Sequence, residues 1–217
     1  MIKGSTKRCV SCSTRLSFSD ILRLTFFRLT QVLANNEKGL NMSLRLETPR
    51  MYLRPFQLDD APIIYTWVGD PEIQRYLYTG PDLSLEQTVA RVQRYIALQE
   101  ERGFSRWLIF DRATDKPIGD AGLLLMPDGK EIELGYRLDK PWWGQGRATE
   151  VAAAWVDYAF GPLNIPALVA FAEPENIRSI RVMEKIGMRF LRKELLYGKI
   201  EVVYGIEREE VDRGTGR

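Results

Sequence analysis

"KPWWGQGRATEVAAAW", residues 140–155, decides how this chain is read. Gly144 and Gly146 stand directly before a run of alanines suited to a helix. Glycine lacks the Cβ that keeps a ligand off the main chain, and the first four N–H groups of a helix have no partner inside it. Bare backbone at a helix start is a place for an anion. The two commonest nucleotide loops are excluded by residue type. A P-loop carries lysine and then Ser or Thr after its last glycine, whereas Arg147, Ala148 and Thr149 follow Gly146. A Rossmann turn needs a third glycine where Thr149 stands, and Pro141, Trp142 and Trp143 lengthen the turn. A glycine-rich connection with no ligand is the plain alternative, so the flanking segments must decide.

Before the loop, "SRWLIFD", "KPIGDAGLLLM" and "EIELGYRL" read as three strands of an antiparallel meander, separated by the turns "RATDK" and "MPDGK". Earlier, "RMYLRPF" is a strand, and "LDDAPIIYTWVGD" and "PEIQRYL" are short helices with Asp59 or Asp60 as cap and Gly69 as stop. Residues 84–103 are a longer amphipathic helix opened by a Ser-x-x-Gln box and closed by glycine. After the loop come a helix from about Gly146, the strand "ALVAFAE", the helix "NIRSIRVMEKIG" and two closing strands, "MRFLRKELLYG" and "KIEVVYGIERE". The class is α/β with a largely antiparallel sheet.

Composition narrows the function. The chain has 217 residues, 45% hydrophobic and 28% charged, enough for one domain with a proper core. Lys plus Arg total 31 against 29 Asp plus Glu, so a net charge of +2 gives no general reason to bind nucleic acid. No apolar run reaches the roughly 18 to 20 residues of a membrane helix, and a cytoplasmic protein without a membrane partner is expected. The chain contains no histidine, which removes every imidazole-based mechanism and leaves Glu, Asp, Tyr, Lys or water to carry protons.

The strand-loop-helix "IELGYRLDKPWWGQGRATEVAAAWVDYAF" followed by "PENIRSIRVMEKIGMRF" resembles the GNAT superfamily of acetyl-CoA-dependent N-acetyltransferases, in particular the branch that contains the ribosomal-protein N-terminal acetyltransferases. The resemblance runs from about Leu44 to about Glu207. It implies a GNAT fold: a central, mostly antiparallel seven-stranded sheet, splayed between strands 4 and 5 and flanked by helices. The family's phosphate motif falls on residues 143–148, with Trp143 departing from its first position. By the resemblance, backbone N–H groups of Gly144, Gln145, Gly146, Arg147, Ala148 and Thr149 cradle the pyrophosphate of acetyl-CoA. Main-chain groups of Tyr136 and Leu138 would pair with the pantetheine arm in a slot opened by a bulge that Gly135 eases. Asn176 and Ser179 match the family's second motif, Asn being also a favoured helix cap. Many relatives carry a tyrosine acid where this chain has Met183, and Ser179 is the nearest substitute.

An amine attacks a thioester only after losing its proton, so a carboxylate base is required. On "KEIELGYRL" the two-residue period sets Glu131, Glu133 and Gly135 on one face. Glu133 lies nearest the slot and is the candidate base, and the plainer reading is a solvated face paired with Arg137 or Lys130. The only two cysteines lie near the N-terminus, so direct attack in a ternary complex is expected rather than an acyl-enzyme. The expected activity is acetyl transfer from acetyl-CoA to a primary amine, a protein α-amine or a small molecule, by a monomer or homodimer and without a metal. A non-catalytic acyl-CoA-binding or regulatory module is the rival. Three segments are expected: a basic, Ser-rich extension over 1–41, the catalytic domain over 42–209 and a polar tail over 210–217. The extension has the composition of a transit peptide, but translation beginning at Met42 is the preferred reading. Its Cys9 and Cys12 form a CxxC that offers only half a zinc ligand set, and two thiols in a mobile tail are expected.

Overall fold

A computed structural model describes residues 44–126 and 129–208. The expected extension over 1–41 with its CxxC, the start at Met42 and the tail over 210–217 lie outside the described residues. In chain order the elements are β1 (Leu46–Glu47), β2 (Met51–Pro55), α1 (Ala61–Val68), α2 (Leu85–Arg102), β3 (Arg106–Asp111), β4 (Pro117–Leu125), β5 (Ile132–Leu138), α3 (Arg147–Phe160), β6 (Ala167–Ala172), α4 (Ile177–Lys185), β7 (Arg189–Leu196) and β8 (Lys199–Glu207). The eight strands form one sheet in the order β1-β2-β3-β4-β5-β6-β8-β7. Seven are the strands expected from sequence, and the two-residue β1 adds an edge.

Alternation along β3 shows why the sheet sits between two helical layers. Trp107 and Ile109 join a core with Val151, Trp155 and Ala159 of α3 and Met183 of α4. Leu108 and Phe110 point the other way, into a core with Ile64 and Trp67 of α1 and Val92 and Tyr95 of α2. A strand covered on both faces reads as a continuous apolar run, as "WLIF" does. Trp107 meets Trp155 edge-on, with ring centroids 5.0 Å apart. No helix among the described residues is long and apolar enough to cross a membrane.

The feature that positions the site is a split in the sheet. Neighbouring strands pair antiparallel except β5 and β6, which run parallel and meet at a single register pair, Glu133↔Val169. Here lies the expected splay. The β4–β5 register runs unbroken from Gly119↔Leu138 to Leu125↔Ile132, so divergence of β6, rather than a bulge in β5, opens the slot.

Several local expectations change. Residues 71–77, expected as a helix, wind instead as successive turns over 71–76, with Gln74 N–H donating to the Asp70 carbonyl at 3.0 Å. Six residues close too few helical bonds to offset nucleation. Ser84 precedes α2 but makes no side-chain cap bond, and Gln87 Oε1 instead accepts from Leu83 N–H at 2.7 Å, one residue earlier than a capping box requires. The β7–β8 hairpin turns on Tyr197 and Gly198 with φ of 52° and 83°, the mirror-image geometry that matches strand twist.

Candidate active site

Both loop glycines adopt the left-handed conformation, Gly144 at φ 73° and Gly146 at φ 75°. A Cβ on Gly144 would meet nothing within 4 Å, and one on Gly146 only Arg50 Nη2 at 3.7 Å. Glycine is thus required here by backbone conformation, and the space above it is open. The first bond of α3 runs from Glu150 N–H to the Gly146 carbonyl (3.1 Å), which leaves the amides of 144–149 outside the helical ladder. A pyrophosphate fits such a cradle, where the helix dipole adds to the N–H groups.

Side chains around the loop hold its shape. Trp143 donates from its indole N–H to the Leu138 carbonyl at 2.7 Å, tying the loop to the end of β5 and engaging a group the sequence had offered to pantetheine. Gln145 folds back, donating to the Pro141 carbonyl at 2.8 Å. Arg147 carries its guanidinium to Asp111 (2.7 Å) and across the Trp142 ring (4.5 Å), with Nε 3.4 Å from Gln145 Oε1. Burial pushes the Asp111 carboxyl up, but Thr114 and Arg147 outweigh it and hold it below its usual value. Arg50, far away in sequence, clamps the helix start: Nε donates to Glu150 Oε2 at 2.6 Å and Nη1 to the Gln145 carbonyl at 3.0 Å.

Asn176 caps α4, its Oδ1 accepting from Ser179 N–H at 3.3 Å. Ser179 Oγ lies 3.0 Å from the Tyr136 hydroxyl, whose single proton is within reach of that oxygen and of the Ser179 carbonyl at 3.1 Å. The Tyr136 side chain thus joins β5 to the first turn of α4. Burial pushes its phenol up to about 12, with Ser179 and Arg106 opposing. Met183 is fully buried in the core.

Glu133 sits where the split begins. It lies on a buried face rather than the solvated one of the plainer reading, and its partner is Arg106, at 3.3 Å, in place of Arg137 or Lys130. Arg137 turns instead to Asp120, with Nε and Nη2 each 2.8 Å from Oδ2. Burial raises the Glu133 pKa and Arg106 pulls it back. Gly135 has no distorted conformation to ease: a Cβ there would fall 1.9 Å from Arg106 Nη2. Sequence reasoning missed Arg106, Asp120 and Arg50, and the one usable signal was a glycine in mid-strand, which often marks a close approach.

Beyond the split on the sheet lies an aromatic group. Tyr78 and Tyr197 stack with centroids 3.7 Å apart, and Phe171 lies 6.0 Å from Tyr197. Glu201 on β8 is 2% exposed, with no hydrogen-bond partner for Oε2 among the described residues. Burial, with Glu173 next, pushes its carboxyl up to about 7.

Comparison with known proteins gives a consistent picture. The model of the Acetyltransferase (GNAT) domain family matches residues 50–189. The chain is similar to the N-acetyltransferase p20 of Bacillus licheniformis, 31% identical over 145 residues that cover 66% of this chain and 82% of that protein. Among solved structures, an acetyltransferase from Agrobacterium tumefaciens str. C58 superposes with a TM-score of 0.65 at 30% identity, over 79% of this chain and 99% of that one. A ribosomal L7/L12 alpha-N-protein acetyltransferase in complex with coenzyme A gives a TM-score of 0.64 over 76% of this chain and 98% of that one. At 22% identity the latter speaks for the fold alone.

Proposed function

The chain belongs to the GNAT family of N-acetyltransferases, and from that premise we propose that it moves an acetyl group from acetyl-CoA to a primary amine by direct attack in a ternary complex. One observation carries the reading: a buried carboxylate, Glu133, stands at the single pair joining β5 to β6, where the split opens toward an anion cradle. Acetyl-CoA supplies the activated acetyl group. The coenzyme A bound to the ribosomal-protein relative supports this choice.

The backbone of 144–149 holds the pyrophosphate, and the β5 edge over 136–138 takes the extended arm as an added strand. Glu133, directly or through one water, accepts the proton of the incoming ammonium and frees the nitrogen lone pair. As the new C–N bond forms and the C–S bond breaks, the nitrogen sheds its remaining surplus proton and the departing thiolate takes one up, steadied by a hydrogen bond from the Ser179 hydroxyl, whose oxygen accepts from Tyr136. Tyr78, Tyr197 and Phe171 wall the side from which the amine arrives. A protein α-amine and a small-molecule amine both remain candidate acceptors.

The test is turnover of acetyl-CoA with a panel of amines, from short peptides with free N-termini to diamines and amino sugars, run beside calorimetric titration of acetyl-CoA. Thiol release that depends on one amine class supports the reading. Tight acetyl-CoA binding with no turnover across the panel would instead favour a non-catalytic acyl-CoA-binding module.

A further inference from the structure

We propose that Arg106 is a positioning residue of this site: its guanidinium, laid across the bare Cα of Gly135, holds the Glu133 carboxylate at the head of the split. The inference rests on the reading of Glu133 as the base.

Three strands supply the geometry. Arg106 on β3 pairs with Gly122 on β4, which pairs with Gly135 on β5, so one register row holds an arginine and two glycines. A Cβ on Gly135 would lie 1.9 Å from Arg106 Nη2, 2.5 Å from Cζ and 2.8 Å from Nη1. The guanidinium therefore occupies the space of the missing side chain. No turn or positive φ requires glycine at 135, which continues the ladder between Leu134 and Tyr136. Passage of the arginine is the physical reason for it.

Charge apportionment points the same way. Arg106, Arg137, Asp120 and Glu133 are all buried or nearly so, two positive and two negative. Asp120 is fully buried: its Oδ2 takes both Arg137 nitrogens and the Trp67 indole N–H at 3.2 Å, while Oδ1 has no hydrogen-bond partner among the described residues. Arg106 Nη1 stands 3.6 Å from Asp120, too far for a good hydrogen bond, and Nη2 stands 3.3 Å from Glu133. Arg137 thus holds Asp120 by Oδ2, and Arg106 lies between Asp120 Oδ1 and Glu133, nearer to Glu133. The remaining groups coupled to this pair are phenols, Tyr95 from α2 together with Tyr78, Tyr136 and Tyr197. Burial pushes the Glu133 carboxyl up, toward its protonated form, and the adjacent guanidinium opposes that.

The experiment needs no acceptor. Glutamate side-chain carboxyl carbons of the full-length protein are labelled with 13C and titrated by NMR, and the Glu133 signal is assigned by its absence in Glu133→Gln. In Arg106→Gln the Glu133 midpoint is expected to rise by about one pH unit or more, a tenfold or greater change in its proton affinity. Arg106→Lys should give a smaller rise, because the charge survives and the planar reach does not. Gly135→Ala should reproduce the rise with Arg106 intact, by displacing the guanidinium. These two milder variants carry the test if Arg106→Gln does not fold. Calorimetry should find acetyl-CoA affinity within about threefold of the parent in all three. A Glu133 midpoint that stays put in the folded variants overturns the proposal. Failure of the base reading is separate: it would appear as parental turnover in Glu133→Gln, whatever the NMR titration shows.

Discussion

Glu201→Gln is expected to stabilise the protein above neutral pH and leave it nearly unchanged in mild acid. Glu201 is 2% exposed, its Oε2 has no partner among the described residues, and its carboxyl is pushed from 4.5 to about 7 by burial, Glu173 and Glu175, with Lys199 opposing. A carboxyl raised in the folded state binds its proton more tightly folded than unfolded. Its contribution is therefore full below about 4.5 and is lost as pH rises through about 7. At about 1.4 kcal/mol per pH unit, that interval sets an upper bound of about 3 kcal/mol. Glutamine keeps the shape and removes the charge that the parent must bury above pH 7. Urea unfolding of parent and variant at pH 5 and at pH 8 measures it. The variant should match the parent within about 1 kcal/mol at pH 5 and exceed it by about 2 to 3 kcal/mol at pH 8. Equal stabilities at pH 8, or an identical difference at both, would show that the carboxyl does not carry the burden described.

Glu133→Gln should lower kcat by about a hundredfold to ten-thousandfold with little change in acetyl-CoA affinity, since general-base roles are of that size. The parent rate should rise with pH as Glu133 loses its proton, and the variant should lose that limb. Gly146→Val should abolish acetyl-CoA binding in calorimetry while far-UV circular dichroism stays parental, because a branched residue at φ 75° is strained by roughly 1 to 3 kcal/mol and fills the cradle. Arg50→Gln should weaken acetyl-CoA binding about fivefold to twentyfold by releasing the Gln145 carbonyl and Glu150, and Arg50→Lys should not fully restore it, because one ammonium cannot make both contacts.

Features set by neighbours in the chain were legible in the sequence. Gly144 and Gly146 needed only their own missing side chains and the helix that follows, and Asn176 needed only Ser179 three residues on. The meander and the closing hairpin followed from alternation and turn residues. What escaped depends on chain segments brought together by folding. Arg106 reaches Glu133 across two strands, and Arg50 reaches Glu150 from 100 residues away. No periodicity encodes such partners. The segment over 71–76 failed for another reason: its pattern is helical, but its length cannot support the helix. Glu133 was placed on the right face, and its burial came from layers that the strand pattern alone does not contain.

The lone rung between β5 and β6 also bears on how the protein responds to its own substrate. Backbone hydrogen bonds knit β1–β5 into one panel and β6–β8 into another, and between the panels the main chain contributes only Glu133↔Val169. Elsewhere the seam is closed by side chains such as Leu134, Leu168 and Val151, packed in one core. A pantetheine arm lying in the slot would act as a splint, supplying amide groups to edges that otherwise face each other unjoined. Acetyl-CoA at a hundredfold excess over its Kd should therefore add about 2.7 kcal/mol to unfolding stability. That gain should be concentrated in slowed hydrogen exchange along β5 and β6, so that the substrate completes the sheet it is consumed in.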